Sequence, residues 1–288
     1  HITKVPSTPS APHEGALNAI ETGGISLSAV TDLVHGSTVA TNAILERKGA
    51  RVAFLVTAGF RDLLLLQRHS RREIYDLAYR KPKPVVERSA VFEIEERVAA
   101  AGEVIVELDE QAVTKQLRDV FVGAQFESVA ICFLNSYTAP AHERRVAAII
   151  GQLMPELPIT CSCDVTREFR EFERASTTTL SAYVRPVIER YLGSFEHELG
   201  KRGFQGRFSI MQSSGGRLPA AGMSDNAITS LFSGPAAGVI GAVRQAKLSG
   251  FSNLISFDMG GTSTDVCMVR DGKPSLSTET EVDGLPIR

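Results

Sequence analysis

The sequence predicts an α/β fold, and three observations carry that prediction. Residues 109–163 alternate helix and strand patterns twice over. Residues 31–57 read as strand, Gly turn, helix and strand. Three Gly-rich strand ends crowd into residues 213–265, the place in α/β sheets where ligands bind.

The elements follow in order. Pro6–Ala11, rich in Pro and Ser, is an extended entry, and Glu14–Glu21 forms a short helix ending at Gly23-Gly24. A strand over Thr31–His35 meets Gly36, after which Ser37 or Thr38 caps a helix over Val39–Lys48 that stops at Gly49. Arg51–Thr57 is β-rich, so Val34–Thr57 has βαβ character. Val91–Val98 and Glu103–Leu108 read as a hairpin. Asp109 caps a helix to Val122; Glu127–Leu134 is a strand, Ala141–Leu153 a helix and Pro158–Cys163 a strand. Glu168–Leu199 is a long helical pattern interrupted at Pro186, since a proline inside a helix kinks or breaks it. A soft domain boundary falls there. Arg207–Gln212 is a strand, Gly234–Lys247 a helix opened by Ser233, and Asn253–Asp258 and Asp265–Val269 are strands, with Asp271-Gly272 a hairpin turn.

Composition removes several function classes. Lys+Arg 31 against Asp+Glu 33 leaves a net charge of −2, with no broad pull on nucleic acid or an anionic membrane. Trp 0 argues against stacking platforms for single strands. No apolar run has the length of a membrane span. Cys161 and Cys163 would share one face of a buried strand, and the six His never fall at close helical spacing, so no zinc site and a reduced, cytoplasmic protein are expected. Arg68-His69-Ser70-Arg71-Arg72 reads as a solvated face, Glu93 and Glu95 as exposed, and Glu168–Arg174 mostly as helix-surface pairs.

The chemistry concentrates in Ile255-Ser-Phe-Asp258-Met-Gly260-Gly261-Thr262-Ser263-Thr264-Asp265-Val266. A strand delivers Asp258 to its end. Gly260 and Gly261 allow a tight turn whose backbone N–H groups cradle an anion. Thr262, Ser263 and Thr264 add hydroxyls, and the return strand carries Asp265. Phosphate donors beside a carboxylate suit a nucleotide with its magnesium ion. No P-loop motif exists in the chain. Two further Gly-rich turns accompany this one: Ser213-Ser-Gly215-Gly216 after a strand, and Ser233-Gly234-Pro-Ala-Ala-Gly238 opening a helix whose positive end favours anions. The small face of that helix also suits packing on a sheet.

These runs resemble the hydantoinase A / 5-oxoprolinase family, as do His35-Gly-Ser-Thr-Val-Ala-Thr-Asn, Thr57-Ala-Gly-Phe-Arg-Asp, Asn135-Ser-Tyr, Glu171-Phe-Glu-Arg-Ala-Ser and Ala182-Tyr-Val-Arg-Pro. The resemblance implies the actin-like ATPase fold shared with sugar kinases and heat-shock chaperones, here an incomplete two-lobed version. It divides the chain into an N-terminal hydantoinase/oxoprolinase region (1–175) and the start of a nucleotide-binding domain (176–288). It implies ATP and magnesium, and an ATP-dependent hydrolase subunit that opens a cyclic amide of the 5-oxoproline or hydantoin type by phosphorylating it. The alternatives are the ATP-binding subunit of an acetone/acetophenone-type carboxylase and a non-catalytic nucleotide-binding module. By resemblance Asp258 and Asp265 are catalytic, with Asp258 holding magnesium through water. Gly260, Gly261, Thr262, Ser263, Thr264, Gly215, Gly216, Gly234 and Gly238 hold the nucleotide, and Gly36, Ser37, Thr38 and Asn42 line the substrate cleft. The implied partners are a hydantoinase B-type subunit or domain and other copies in an oligomer. The chain opens His1-Ile2-Thr3-Lys4, without Met, almost on the Lys4-Val-Pro-Ser-Thr-Pro block that follows a first phosphate hairpin in the family. The expectation is a piece of a longer enzyme that lacks a first phosphate hairpin and a C-terminal part and is inactive alone.

Overall fold

The computed structural model describes residues 2–8, 11–69, 71, 73–259 and 264–288. Helix α1 (Pro12–Thr22) starts with Pro in its first turn, where the missing N–H costs nothing. Strand β1 (Asp32–His35), helix α2 (Val39–Leu45) and strand β2 (Val52–Thr57) follow. Next come α3 (Leu63–Leu66), β3 (Val91–Ile94), β4 (Arg97–Val98) and β5 (Val104–Val106). Helix α4 (Glu110–Phe121) is capped by Asp109, whose carboxylate accepts from the backbone N–H of Gln111 and Ala112, each at 3.0 Å. Then come β6 (Ser128–Cys132), α5 (Ala141–Leu153), β7 (Ile159–Cys161), α6 (Ser162–Val165) and the long α7 (Glu171–Lys201). The chain continues through β8 (Arg207–Met211), β9 (Arg217–Pro219), α8 (Ala220–Met223), α9 (Ser233–Leu248), β10 (Leu254–Met259), β11 (Thr264–Arg270) and β12 (Lys273–Pro274). It ends in the hairpin of β13 (Thr280–Val282) and β14 (Leu285–Ile287).

The chain forms two compact units from interleaved segments. The first takes His1–Asn42 and Val187–Ser277, the second Ala43–Pro186 and Thr278–Arg288. In the first, β1 lies parallel to β8, β9 returns antiparallel to β8, and β10, β11 and β12 form an antiparallel ribbon. Asp271 and Gly272 close its second turn with φ of 50° and 71°, the left-handed pair that such a turn requires.

The second unit is built on a parallel sheet in the order β3-β2-β6-β7. Every residue of β2 and β6 is buried, as expected of central strands covered on both faces. Val113, Leu117 and Phe121 recur at helical spacing on α4, and Val146, Ile149 and Ile150 do so on α5. They pack on Ala53, Leu55, Val129 and Ile131 of the sheet.

Four local readings change. β1 and β2 enter different sheets, so Val34–Thr57 is not a βαβ unit. The 91–108 region splits: β3 joins β2, and only β4 and β5 make the hairpin. Cys163 lies in α6 and not in a strand, so it does not share a strand face with Cys161. Helix α7 runs through Pro186 unbroken. The residues around it, Leu180, Val184, Ile188 and Leu192, are all buried, and their packing outweighs one lost hydrogen bond. The carbonyl of Tyr183, one turn earlier, accepts from the N–H of Ala50 at 2.9 Å.

The charges read as surface pairs on 168–174 also change place. Arg174 is fully buried, and so is Glu143 of α5. The hydroxyls of Ser136 and Ser162 accept from the Arg174 guanidinium and donate to Glu143 Oε1 at 2.7 and 2.6 Å. The N–H groups of Phe133 and Cys163 complete the carboxylate's bonding at 2.8 and 3.0 Å. Glu96 is buried as well, against His142 Nδ1 at 2.8 Å. Burial pushes the thiol of Cys132 up to about 12, so it is protonated and inert as a nucleophile at neutral pH.

Candidate functional site in the first unit

Two of the predicted Gly-rich turns meet in the first unit. A Cβ on Gly36 would come within 3.1 Å of the Ser233 carbonyl oxygen and 3.3 Å of Gly234 Cα, so a larger residue would push the two backbones apart by a few tenths of an ångström. Ser37 N–H donates to Ser233 Oγ at 3.1 Å, and that hydroxyl donates to the Ser37 carbonyl at 2.9 Å. Phe232, at φ 56°, donates its N–H to Thr41 Oγ1 at 3.2 Å. Ser233 was expected to cap α9. Its hydroxyl is instead committed to Ser37, and α9 starts without a side-chain cap. Free N–H groups at the first turn of a helix, with its positive dipole end, favour an anion.

His35 sits at the root of this turn. Its Nε2 is 2.6 Å from the hydroxyl of Tyr191, and Phe195 meets the ring edge-on. Burial lowers the imidazole from 6.5 to about 4 and raises the Tyr191 phenol to about 12, so both are neutral at pH 7. Thr38 and Asn42 lie one helical turn apart on α2, with Asn42 Nδ2 donating to Thr38 Oγ1 at 3.3 Å.

The turn after β8 is closed by Gln212 N–H to Gly216 O at 2.9 Å and anchored by Ser213 N–H to Thr229 O at 2.8 Å. Gly215, at φ 82°, lies against Ile240 of α9, seven residues on from Ser233. A Cβ added to Gly238 or Gly241 would meet nothing within 4 Å. Close packing therefore does not explain the glycines along this face among the described residues, and Gly238 keeps its backbone open.

The ribbon brings the two predicted carboxylates together. Asp258 stands directly opposite Asp265, and Met259 opposite Thr264. Directly paired residues share a face, so both carboxylates project on the same side at the turn end of the ribbon. Ser256 and Cys267 share that side, while Ile255, Phe257, Met259, Val266 and Met268 form an exposed apolar opposite side. Gly260, Gly261, Thr262 and Ser263, predicted to hold phosphate, lie outside the described residues. Two accessible carboxylates side by side are oxygen donors of the kind a hard divalent cation takes, directly or through water.

Residues 1–154 match the hydantoinase/oxoprolinase N-terminal region, and residues 174–288 match the hydantoinase/oxoprolinase model. The chain belongs to the hydantoinase/oxoprolinase family. It is 35% identical to the 5-oxoprolinase of Saccharomyces cerevisiae over 97% of this chain and 24% of that protein. It is 32% identical to the acetophenone carboxylase gamma subunit of Aromatoleum aromaticum over 93% of this chain and 39% of that subunit. Among solved structures, the nucleotide-free acetone carboxylase of ATP-dependent acetone carboxylation superposes with a TM-score of 0.85 at 26% identity, over 99% of this chain and 42% of that one. The ATP-dependent caprolactamase of Pseudomonas jessenii gives 0.81 at 30% identity, over 91% and 39%. The chain thus spans less than half the length of these relatives. Its mixed α/β fold is of the actin-like ATPase class that the sequence predicted. Among the described residues, no single helix is long and apolar enough to cross a membrane.

Sequence reasoning named Gly36, Ser37 and Gly234 but missed why they matter to one another. Ser37 and Ser233 are 196 positions apart, and no local pattern pairs them. Tyr191 and Thr41 were missed for the same reason. Both are ordinary residues on helices until the fold places them beside His35 and Phe232.

Proposed function

We propose that this chain supplies the nucleotide-binding portion of an ATP-dependent enzyme that opens a cyclic amide. The carrying observation is that Asp258 and Asp265 stand opposite each other at the ends of paired strands joined by the sequence Gly-Gly-Thr-Ser, in the same unit as the bonded Gly36–Ser37 and Ser233–Gly234 turns. Asp258 would hold magnesium through water, with Asp265 beside it. Gly260, Gly261, Thr262, Ser263 and Thr264 would contact phosphate oxygens, with Gly234 and Gly238 on the open face of α9 and Gly215 and Gly216 in the neighbouring turn. Gly36, Ser37, Thr38 and Asn42 would line the substrate side.

ATP with its magnesium supplies a phosphoryl group that turns an amide oxygen into a leaving group. The chain's own contribution is to bind and orient. Backbone N–H groups in a Gly turn and at an uncapped helix start neutralise anionic charge without a basic surface. That reading accords with a net charge of −2. The family's ketone carboxylases favour a second reading, in which the same site serves a carboxylase and the activated atom is an enol oxygen. A hydantoinase B-type subunit or domain would complete either reaction.

ATP turnover measured in the assembled enzyme with 5-oxoproline, hydantoin and a simple ketone separates the two readings. Stimulation by a ring amide is expected, and stimulation by ketone alone would replace the first reading with the second. Asp258→Ala is expected to abolish turnover, a loss of at least 100-fold on the scale of removed electrostatic groups, with an unchanged circular dichroism spectrum. Retained turnover would remove Asp258 from the site.

A further inference from the structure

The sequence marks Arg68–Arg72 as a solvated basic face, and the structure divides that run. Arg68 forks onto Glu173 in the wall of a cavity, with Nε and Nη2 donating to the two carboxylate oxygens at 2.8 and 2.6 Å. Arg71 stays in solvent, and every residue from Glu73 to Ala78 is exposed. The geometry points to residues 73–83 as a docking arm of the second unit, for a protein partner that presents an apolar pocket ringed by carboxylates. This goes beyond the proposed function and holds whether or not the chain handles ATP.

The apolar part is the tip. Ile74, Tyr75 and Leu77 are 74%, 96% and 99% exposed. Single apolar side chains on a surface are ordinary, but three within four positions leave a patch that water disfavours. The tip is a built turn and not a slack coil. The N–H of Asp76 donates to Glu73 O at 3.3 Å, that of Tyr79 to Asp76 O at 3.2 Å, and that of Ala78 to the Asp76 carboxylate at 2.8 Å. An Asp that bonds the backbone two residues on fixes a turn in this way.

The neck is fixed as well. The Gln67 side-chain amide donates to Pro82 O at 2.9 Å, and Lys81 Nζ donates to Leu66 O at 2.7 Å, so two side chains cross between the outgoing and returning segments. The Arg47 guanidinium donates to the carbonyls of Lys83 and Pro84 at 2.8 and 3.3 Å. A Cβ on Gly284 would lie 2.6 Å from Pro82 Cγ, so the turn between β13 and β14 abuts the returning segment. An arm already ordered at its tip and its neck loses little conformational entropy on binding.

Charge selects the partner. Among the described residues around the tip, Arg71, Arg80, Lys81 and Lys83 outnumber Glu73 and Asp76, a surplus of 4 − 2 = +2 on a chain of net charge −2. Arg71, Arg80 and Lys83 are exposed and form no ion pair among the described residues. Unneutralised cations beside an apolar tip fit carboxylates around an apolar pocket, and Tyr and Arg are the side chains that most often dominate such interfaces. An anionic bilayer fits less well, because seating Ile74, Tyr75 and Leu77 in it would carry the carboxylates of Glu73 and Asp76 out of water.

The test replaces Ile74 by the photo-crosslinker p-benzoylphenylalanine in the full-length protein, expressed in its source cells and irradiated there. The expected result is one crosslinked protein, joined at an apolar pocket with at least two carboxylates beside it. With that protein purified, Tyr75→Ser and Leu77→Ser should each weaken binding on the order of tenfold or more. Arg80→Glu should do the same, and reversing a carboxylate of the pocket to Lys should restore it. Binding is scored in the variants that keep the wild-type melting curve, as substitutions of nearly fully exposed side chains should. No crosslinked protein, a crosslink to a basic or purely polar surface, or undiminished binding in the folded variants overturns the assignment. A crosslink only to a second copy of this chain overturns it in favour of self-association. Sedimentation with phosphatidylserine vesicles that Tyr75→Ser abolishes overturns it in favour of a membrane.

Discussion

His35 shows how one residue couples burial to pH. Its imidazole titrates near 6.5 in the unfolded chain and about 4 in the folded one, because burial penalises the charged ring. Between those values the unfolded chain binds more protons than the folded chain. Stability is therefore full above pH 6.5 and falls as the pH drops toward 4, by on the order of 2–3 kcal/mol. Urea midpoints at pH 7 and pH 5 should move apart in the wild type and less so in His35→Gln, which keeps a polar partner for Tyr191 but cannot titrate. An equal gap in both proteins would assign the pH dependence elsewhere. The sequence named His35 only as a neighbour of Gly36. Its depressed titration comes from Tyr191 and Phe195, brought in from α7.

At the scale of elements, local signals did most of the work. The cap-and-periodicity pattern at Asp109 fitted α4 because the cap, the apolar spacing and the turn all lie within a few residues. Asp109→Ala should cost ~1 kcal/mol in chemical denaturation, since two backbone N–H groups lose their acceptor. A cost near zero would mean that water replaces the carboxylate fully. α7 is the counterexample. Pro186 is a correct local break signal, overruled by the buried residues on either side of it. The turn at Ser233 is another: a serine before a helix reads as a cap, yet its hydroxyl bonds Ser37 from another element. The ribbon lies between these cases. Asp258 and Asp265 were legible as a pair because two strands so close in sequence pair antiparallel, and the register sets them opposite each other.

At the scale of the whole molecule, packing within the second unit decides where charge can hide. Arg174 and Glu143 are each fully buried and joined through Ser136 and Ser162. Glu143→Ala should destabilise the protein by ~3–5 kcal/mol in a urea melt, because it strands a buried guanidinium. Replacing both residues by Met should cost markedly less, since no charge is left unpaired. A double mutant as unstable as the single one would show that the carboxylate's hydrogen bonds, and not the charge pair, hold this region. The sequence by itself determined the α/β class and the family resemblance, because each is written in contiguous residues whose spacing dictates local geometry. Only the tertiary structure decided that Ser233 serves Ser37, that Arg174 is core and not surface, and that Arg68 walls a cavity. Each depends on residues far apart in the chain, and burial, which sets the energy of a charge or a hydroxyl, exists only once they have met.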